Sequence, residues 1–281
     1  MTVTGFDSLL CPLDGNPLQR HDASWRCPAG HSFDIARQGY VHLLPVQNKR
    51  SKDPGDSREM VGARACFLEA GFYQPLAVAV ARAALEGLPS GEPVNLLDAG
   101  CGEGYYLRQV AAAAGPRQSL ALLGSDISKW AVLAAARCDP RPAWAVASNA
   151  ALPIPAQSMD RVLCLFGFPV YPEFARVLKP GGELLLADPG PEHLREMREI
   201  IYPALKPRAL EVDTVPEGFT RVGVESVSYP MILADAGAIA NLLAMTPHLY
   251  RASAAGREKL LAHSRLAVTV DVRLTRLRLM A

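Results

Sequence analysis

What the 281-residue chain lacks narrows it first. No apolar run approaches the roughly 20 residues that a membrane-spanning helix needs, and the first ten residues have neither the charged head nor the greasy centre of a signal peptide. The expected address is therefore the cytosol, with no membrane partner. Charge of one sign is missing too: 29 Lys and Arg face 28 Asp and Glu, so the chain as a whole has no electrostatic preference for nucleic acid or membrane. Six cysteines at irregular spacing do not make a disulfide framework in so long a chain, and read instead as reduced thiols, some free to hold metal. There is no internal repeat, and no low-complexity tract beyond alanine-rich helices.

What is present is ample apolar material: 49% hydrophobic residues, enough for one full-size domain with a small one appended. Charge is balanced overall but not locally. Residues 20–52 carry Arg20, Arg26, Arg37, Lys49, Arg50 and Lys52 against only Asp22 and Asp34, a net +4. The first 45 residues hold Gly, Pro and polar punctuation with only short apolar runs such as "YVHLL", too little for a large core. "QNKRSKDPGDSRE" (47–59) reads as a linker or exposed loop. These shifts divide the chain into a small unit at 1–45, a connecting segment at 46–72 and a large domain at 73–281.

The large domain alternates. A helix is predicted from about Pro75 to Leu88, with proline in the first turn where its missing N–H costs little. Then come "VNLLDAG" as strand, "YYLRQVAAAA" as helix, "LALLGSD" as strand, "SKWAVLAAAR" as helix, "AWAVA" and "MDRVLCLFG" as strands, "YPEFARVL" as helix, "ELLLADPG" as strand, and a helix from about Glu192. Strands that are apolar throughout, separated by helices, indicate a parallel sheet covered on both faces, a doubly wound α/β architecture. "LAVTVDVRL" near the end alternates strictly, with Leu266, Val268, Val270, Val272 and Leu274 on one face, and fits an antiparallel strand near the sheet edge.

The strongest chemical signal is "LLDAGCGEGYY" (96–106). Asp98, Gly100, Gly102 and Gly104 follow a predicted strand and open a predicted helix, as a glycine-rich ligand loop requires. A dinucleotide loop spaces its glycines as G-x-G-x-x-G, whereas here the third comes one residue early and Tyr105 takes its place, which disfavours NAD. A carboxylate ahead of G-x-G-x-G suits S-adenosylmethionine, whose ammonium group it can hold. Asp126 ends the next strand, where it can accept hydrogen bonds from a ribose diol. The bland alternative makes the glycines a turn and Asp126 a helix cap.

"CPLDGNPLQRHDASWRCPAGH" (11–31) has the spacing of a four-ligand zinc knuckle with one substitution: Cys11-x2-Asp14, then Cys27-x3-His31, with Asp14 where a second cysteine is expected. A carboxylate oxygen is an acceptable zinc ligand, so Asp14 completes the sphere at reduced affinity, or else the knuckle survives by packing alone. Cys66 and Cys164 fall on predicted apolar faces and read as buried packing residues. Nothing beside Cys101 suggests a nucleophile.

"DAGCGEG", "GSD" and "RVLKPGGELLLA" (176–187) resemble the successive motifs of class I, Rossmann-like methyltransferases. Nearly the whole chain resembles the bacterial 23S rRNA guanine-N1 methyltransferases of the RlmA type. The resemblance rests on the knuckle, "HSFDIARQGYVHLLP" (31–45), "KRSKDPGDSREMV" (49–61), "FLEAGFYQPL" (67–76), "GCGEGYY", "KPGG", "PGPEHL" (189–194) and "MTPHLYRA" (245–252). "QNKRSKDPGD" and "GEGYY" are closer in wording to the Gram-negative branch.

The resemblance implies an N-terminal zinc ribbon with one Zn2+, S-adenosyl-L-methionine as cofactor, a homodimer, and a guanine in a hairpin of 23S rRNA as substrate. It also implies that Tyr73, Tyr105, Tyr106 and His193 line the cofactor pocket, although Tyr73 reads equally as a core aromatic and His193 as a solvated helix-start residue. Methyl transfer in line from sulfur needs orientation above all, plus a path for the N1 proton. Asp188, Glu173 and His193 lie where ligands collect, and none is singled out. Phe166, Phe168 and Tyr171 could stack on a flipped base or simply fill core. Two other functions stay open at this point: a methyltransferase acting on a small molecule or protein, and a non-catalytic RNA-binding protein that keeps the fold.

Overall fold

Four apolar runs separated by helices settle side by side as the middle of one sheet. They are β6 (Pro93–Ala99), β7 (Ser119–Asp126), β9 (Met159–Leu165) and β10 (Leu178–Pro189). The computed structural model describes residues 2–48, 51, 53–205 and 214–280. Lys49, Arg50 and Lys52, half of the expected basic cluster, lie outside the described residues.

The order along the sheet is β11-β12-β10-β9-β6-β7-β8-β5, with β1 paired to β7. Here β1 is Thr2–Gly5, β5 is Tyr40–His42, β8 is Ala143–Val146, β11 is Phe219–Leu233 and β12 is Leu266–Leu279. All pairings from β5 to β10 are parallel, and β12 runs antiparallel to both β10 and β11. The chain moves outward from β6 to β7 and β8, then returns to the other side of β6 as β9. The gap between the carboxyl ends of β6 and β9 is thus the topological switch point where doubly wound sheets bind ligands.

Alternation sends neighbouring residues to opposite faces: Leu96 and Leu122 join one core cluster, Leu97 and Leu123 the other. The first face is covered by α2 (Gln74–Leu85), α3 (Tyr105–Ala113), α4 (Lys129–Cys138), α6 (Arg195–Ile201) and α7 (Ala236–Ala244). The second is covered by α5 (Tyr171–Val177) and the N-terminal segment. That segment has its own three-stranded sheet of β2 (Gln19–His21), β3 (Ser24–Arg26) and β4 (Ser32–Asp34). α1 (Arg58–Glu69), α8 (His248–Arg251) and α9 (Ala254–Leu261) are the remaining α-helices among the described residues.

Several expectations shift for local physical reasons. The helix expected to reach Leu88 stops at Leu85, because Gly87 turns to φ +69. The helix expected from Glu192 starts at Arg195, because Leu194 sits at φ +51 and the Glu192 N–H is taken by Asp271 Oδ2. Cys66, expected to be buried, is exposed: α1 buries Val61, Phe67 and Leu68 instead. Cys164 is buried as expected, with its thiol pushed up to about 12 by desolvation. "YVHLL" becomes the sheet-edge strand β5, so the sheet runs across the expected boundary at residue 45.

Candidate functional site

Asp98 is the last residue but one of β6, buried among apolar residues at the switch point. Its Oδ1 makes no hydrogen bond. Burial, with added repulsion from Asp126 and Glu103, pushes its carboxyl up to about 8. The loop that follows is pinned to β7, since the Gly100 and Cys101 N–H groups both donate to Ser125 O, at 2.8 and 3.0 Å. Gly100 takes φ +93, and a Cβ there would meet only Asn149 Nδ2, 4.0 Å away. The backbone is therefore bare on the crevice side. The early third glycine has a packing cause: a Cβ on Gly104 would lie 2.5 Å from the Trp144 ring, which also abuts Gly124.

Asp126, the last residue of β7, holds the loop. Its Oδ2 accepts from Gly102 N (3.0 Å) and its Oδ1 from Ser128 N (2.8 Å). Burial raises its carboxyl, and those two N–H groups oppose the rise. Each oxygen keeps a second lone pair for a ligand hydroxyl.

The aromatic residues assemble at the same end of the sheet. Tyr73, the N-cap of α2, is buried, and its hydroxyl lies 3.4 Å from His193 Nε2. His193 is buried rather than solvated. Its Nδ1 accepts from Asp271 N at 3.2 Å, which assigns the ring proton of the neutral imidazole to Nε2. Phe166 stacks near both, with ring centroids 6.3 Å from Tyr73 and 6.1 Å from His193. Tyr105 turns its hydroxyl to Gln74 Oε1 at 2.9 Å, while the buried hydroxyl of Tyr106 makes no hydrogen bond. Glu173 is not part of this group. Both its oxygens bind Arg176, one also accepts Leu152 N, and these contacts outweigh burial to hold its carboxyl low. Tyr171 pairs with Phe219, at 6.4 Å.

Sequence reading missed Arg64 and Glu103. Arg64, from α1, is paired to Asp56 and stands 4.0 Å from the buried carboxylate of Glu103. Ser128 Oγ donates to Asp56 O at 2.7 Å, so the segment before α1 is fastened onto the Asp126 turn. Glu103 lies inside "LLDAGCGEGYY" with no role attached to it there, and Arg64 falls just past "KRSKDPGDSREMV", which contributes only Asp56 to this group.

At the other end of the chain, one donor atom from each of Cys11, Asp14, Cys27 and His31 lies within 4.8 Å of the others. His31 Nδ1 stands 3.0 Å from Asp14 Oδ2 and 3.4 Å from each sulfur, and Cys27 Sγ is 3.3 Å from Asp14 Oδ2. Tetrahedral zinc with bonds of about 2.0–2.3 Å spaces its ligands roughly 3.3–3.8 Å apart, so the four donors converge closely enough to take the ion. Gly15 (φ +73) and Gly30 (φ +89) make the two turns that bring the donors together.

The zinc-ribbon model described as RlmA, N-terminal, matches residues 9–52, and a methyltransferase-domain model matches 96–182. A Bacillus subtilis (strain 168) protein provisionally named a 23S rRNA (guanine-N1-)-methyltransferase is 33% identical, over 95% of both chains. The chain belongs to this methyltransferase family. A Micromonospora griseorubida protein of the same description is 43% identical over 67% of this chain and 68% of its own. The 23S rRNA (guanine(748)-N1)-methyltransferase of Streptomyces fradiae is 39% identical over 67% and 66%.

For a member of this methyltransferase family, the crevice fits S-adenosylmethionine on chemical grounds. Asp98 Oδ1, Ser125 Oγ and Tyr106 Oη are buried without partners, each a cost of about 1–3 kcal/mol that a polar ligand removes. Gly100 leaves its backbone open to the crevice, and Tyr105 stands where a dinucleotide loop has its third glycine.

Proposed function

We propose that the protein transfers a methyl group from S-adenosylmethionine to N1 of a specific guanine in a 23S rRNA hairpin. The observation that carries the reading is Asp98, a buried carboxylate with an orphaned oxygen at the switch point of a methyltransferase sheet. The roles follow from position. Asp98 takes the ammonium, the backbone from Gly100 to Gly104 lies along the ligand, and Asp126 takes the ribose hydroxyls. Tyr73, Tyr105, Tyr106 and His193 wall the pocket. The cofactor supplies an already activated methyl group.

The chain's own part is to orient and to keep water out. His193 contributes orientation: with its Nδ1 occupied by the Asp271 N–H and its proton on Nε2 toward Tyr73, it is poorly placed to take the N1 proton. Cys11, Asp14, Cys27 and His31 would hold one zinc ion, which supplies folding energy to the ribbon rather than chemistry.

In this reading residues 1–45 form the RNA-gripping ribbon, 46–72 connect, and 73–281 carry methyl transfer. The protein works as a cytoplasmic homodimer. Family resemblance supports the dimer, and among the described residues no helix is long and apolar enough to cross a membrane. Purified protein, labelled cofactor and 23S rRNA from a methylation-deficient strain test the assignment. The expected product is N1-methylguanine at one position, and label on another base, on protein or on small molecules overturns it.

A further inference from the structure

The loop leaving β9 has two features that cofactor binding does not call for. Phe166 adopts φ +56, a left-handed conformation that a bulky side chain keeps only when its surroundings enforce it. Here they do. The Phe166 N–H donates to Ala187 O at 2.8 Å, and its ring packs against both Tyr73 and His193, which themselves lie 6.3 Å apart. A Cβ on the next residue, Gly167, would meet Cys164 Sγ at 3.0 Å and Ala99 O at 3.9 Å, so the loop is turned back against the start of the glycine loop. The second feature is Phe168, 87% exposed, the most exposed large apolar side chain among the described residues. The chain thus accepts backbone strain at 166, and the same turn leaves a phenyl group in water beside the crevice.

Guanine N1 belongs to the edge that pairs with cytosine, so it reaches a methyl donor only when the base is unpaired and out of its stack. A displaced purine loses its neighbours and gains from a flat apolar surface. Accordingly, we propose that Phe168 is the stacking platform for the target guanine, while Phe166 closes the cofactor side of the same crevice. This rests on the proposed function and adds the residue that receives the acceptor base. The strain at Phe166 then has a purpose, since it sets where Phe168 emerges.

Three variants test the proposal: Phe168→Ala, Phe168→Tyr and Phe168→Leu. Single-turnover methylation of an rRNA hairpin, cofactor affinity and oligomeric state are measured for each. Fluorescence is read from a hairpin with 2-aminopurine at the target position. Loss of one base–aromatic stack should lower kcat/KM for RNA about 10- to 100-fold in Phe168→Ala. Cofactor affinity should be unchanged, Tyr should restore activity, and Leu should restore it only in part. The 2-aminopurine signal, quenched by stacking in the wild type, should brighten in the Ala variant.

Wild-type RNA kinetics in Phe168→Ala would overturn the proposal, and so would full rescue by Leu, an equal fall in cofactor affinity, or a change of oligomeric state. If the wild type methylates a different RNA base, the proposed guanine specificity falls while the Phe168 comparison is still read on that base. If no RNA is methylated at all, both fall.

Discussion

Asp98 shows how a single residue can be set against the fold that carries it. Its carboxyl, near 3.8 in the ordinary case, is pushed to about 8 by burial and by the Asp126 and Glu103 carboxylates. Between about pH 4 and 8 the empty protein therefore holds a proton that the unfolded chain has released. Stability of the empty protein falls across that window as pH rises, by up to about 1.4 kcal/mol per pH unit. Asn cannot ionise, so Asp98→Asn should melt above the wild type by a margin that widens from pH 5 to pH 8. Parallel melting curves would refute this account. In the proposed pairing the cofactor's ammonium stabilises the ionised form of Asp98, so cofactor binding at neutral pH should release a proton, read by calorimetry in buffers of different ionisation enthalpy. Folded Asp98→Ala should lose about 1.5–3 kcal/mol of cofactor binding with the charge-assisted contact. At this scale the sequence pointed to Asp98, Asp126 and the glycines, which the structure brings together, because their signal is local, within one strand and one turn. It hid Arg64 and Glu103 because their partnership crosses from α1 to the glycine loop, and it misread Cys66 because the buried stripe of α1 is narrow.

At the scale of elements, the zinc ribbon is a set of two turns whose geometry is provided by Gly15 and Gly30 and whose cohesion depends on what the donors hold. Cys11 and Cys27 are buried, while Asp14 and His31 are partly open to solvent. The softer donors thus sit inside and the substituted position faces water, where a carboxylate is cheapest to keep. Asp14→Cys should raise zinc affinity, because thiolate is the better donor to this borderline-soft ion, and Cys27→Ser should lower it. Metal analysis by plasma mass spectrometry, with a chelator titration of each variant, checks the ranking Asp14→Cys, wild type, Cys27→Ser. Zinc absent from the wild type after growth in zinc-supplemented medium would make the site vestigial. Elements with apolar runs or strict alternation were legible: β6, β7, β9, β10 and β12 all stand where their patterns put them. β11 was not. Only Val227, Tyr229, Met231 and Leu233 alternate in it, the register slips between Arg221 and Gly223, and Pro230 argues against a strand, so its period is broken from the start.

For the whole molecule, composition suggests a seam at residue 45, and the sheet crosses it. β1 pairs with residues 119–122 of β7, and β5 pairs with β8, so the N-terminal segment supplies two strands to the large sheet. Phe6, Leu9, Leu18, Trp25, Val41 and Leu43 also pack into the same core face as Leu97 and Leu123. No sequence period reveals such an arrangement, because the strands involved are three or four residues long and their partners are more than 100 residues away. The consequence is that metal loss and segment loss should differ. Chelation leaves β1 and β5 in place, so it should loosen β2 to β4 and their turns while cofactor affinity is kept. Deleting residues 1–45 removes two strands of the large sheet and the side chains that, beside α5, cover one core face. Burying each large apolar side chain contributes about 1.5–3 kcal/mol, so a loss on this scale rivals the whole 5–15 kcal/mol or so that holds a domain folded. The 46–281 chain should therefore melt far below the wild type or aggregate, and its cofactor affinity should fall with the fold. Thermal melts and calorimetry on wild type, chelated wild type and the truncated chain distinguish the cases. If 46–281 melts at the wild-type temperature and binds cofactor as tightly, the N-terminal strands are ornaments on a sheet that stands without them.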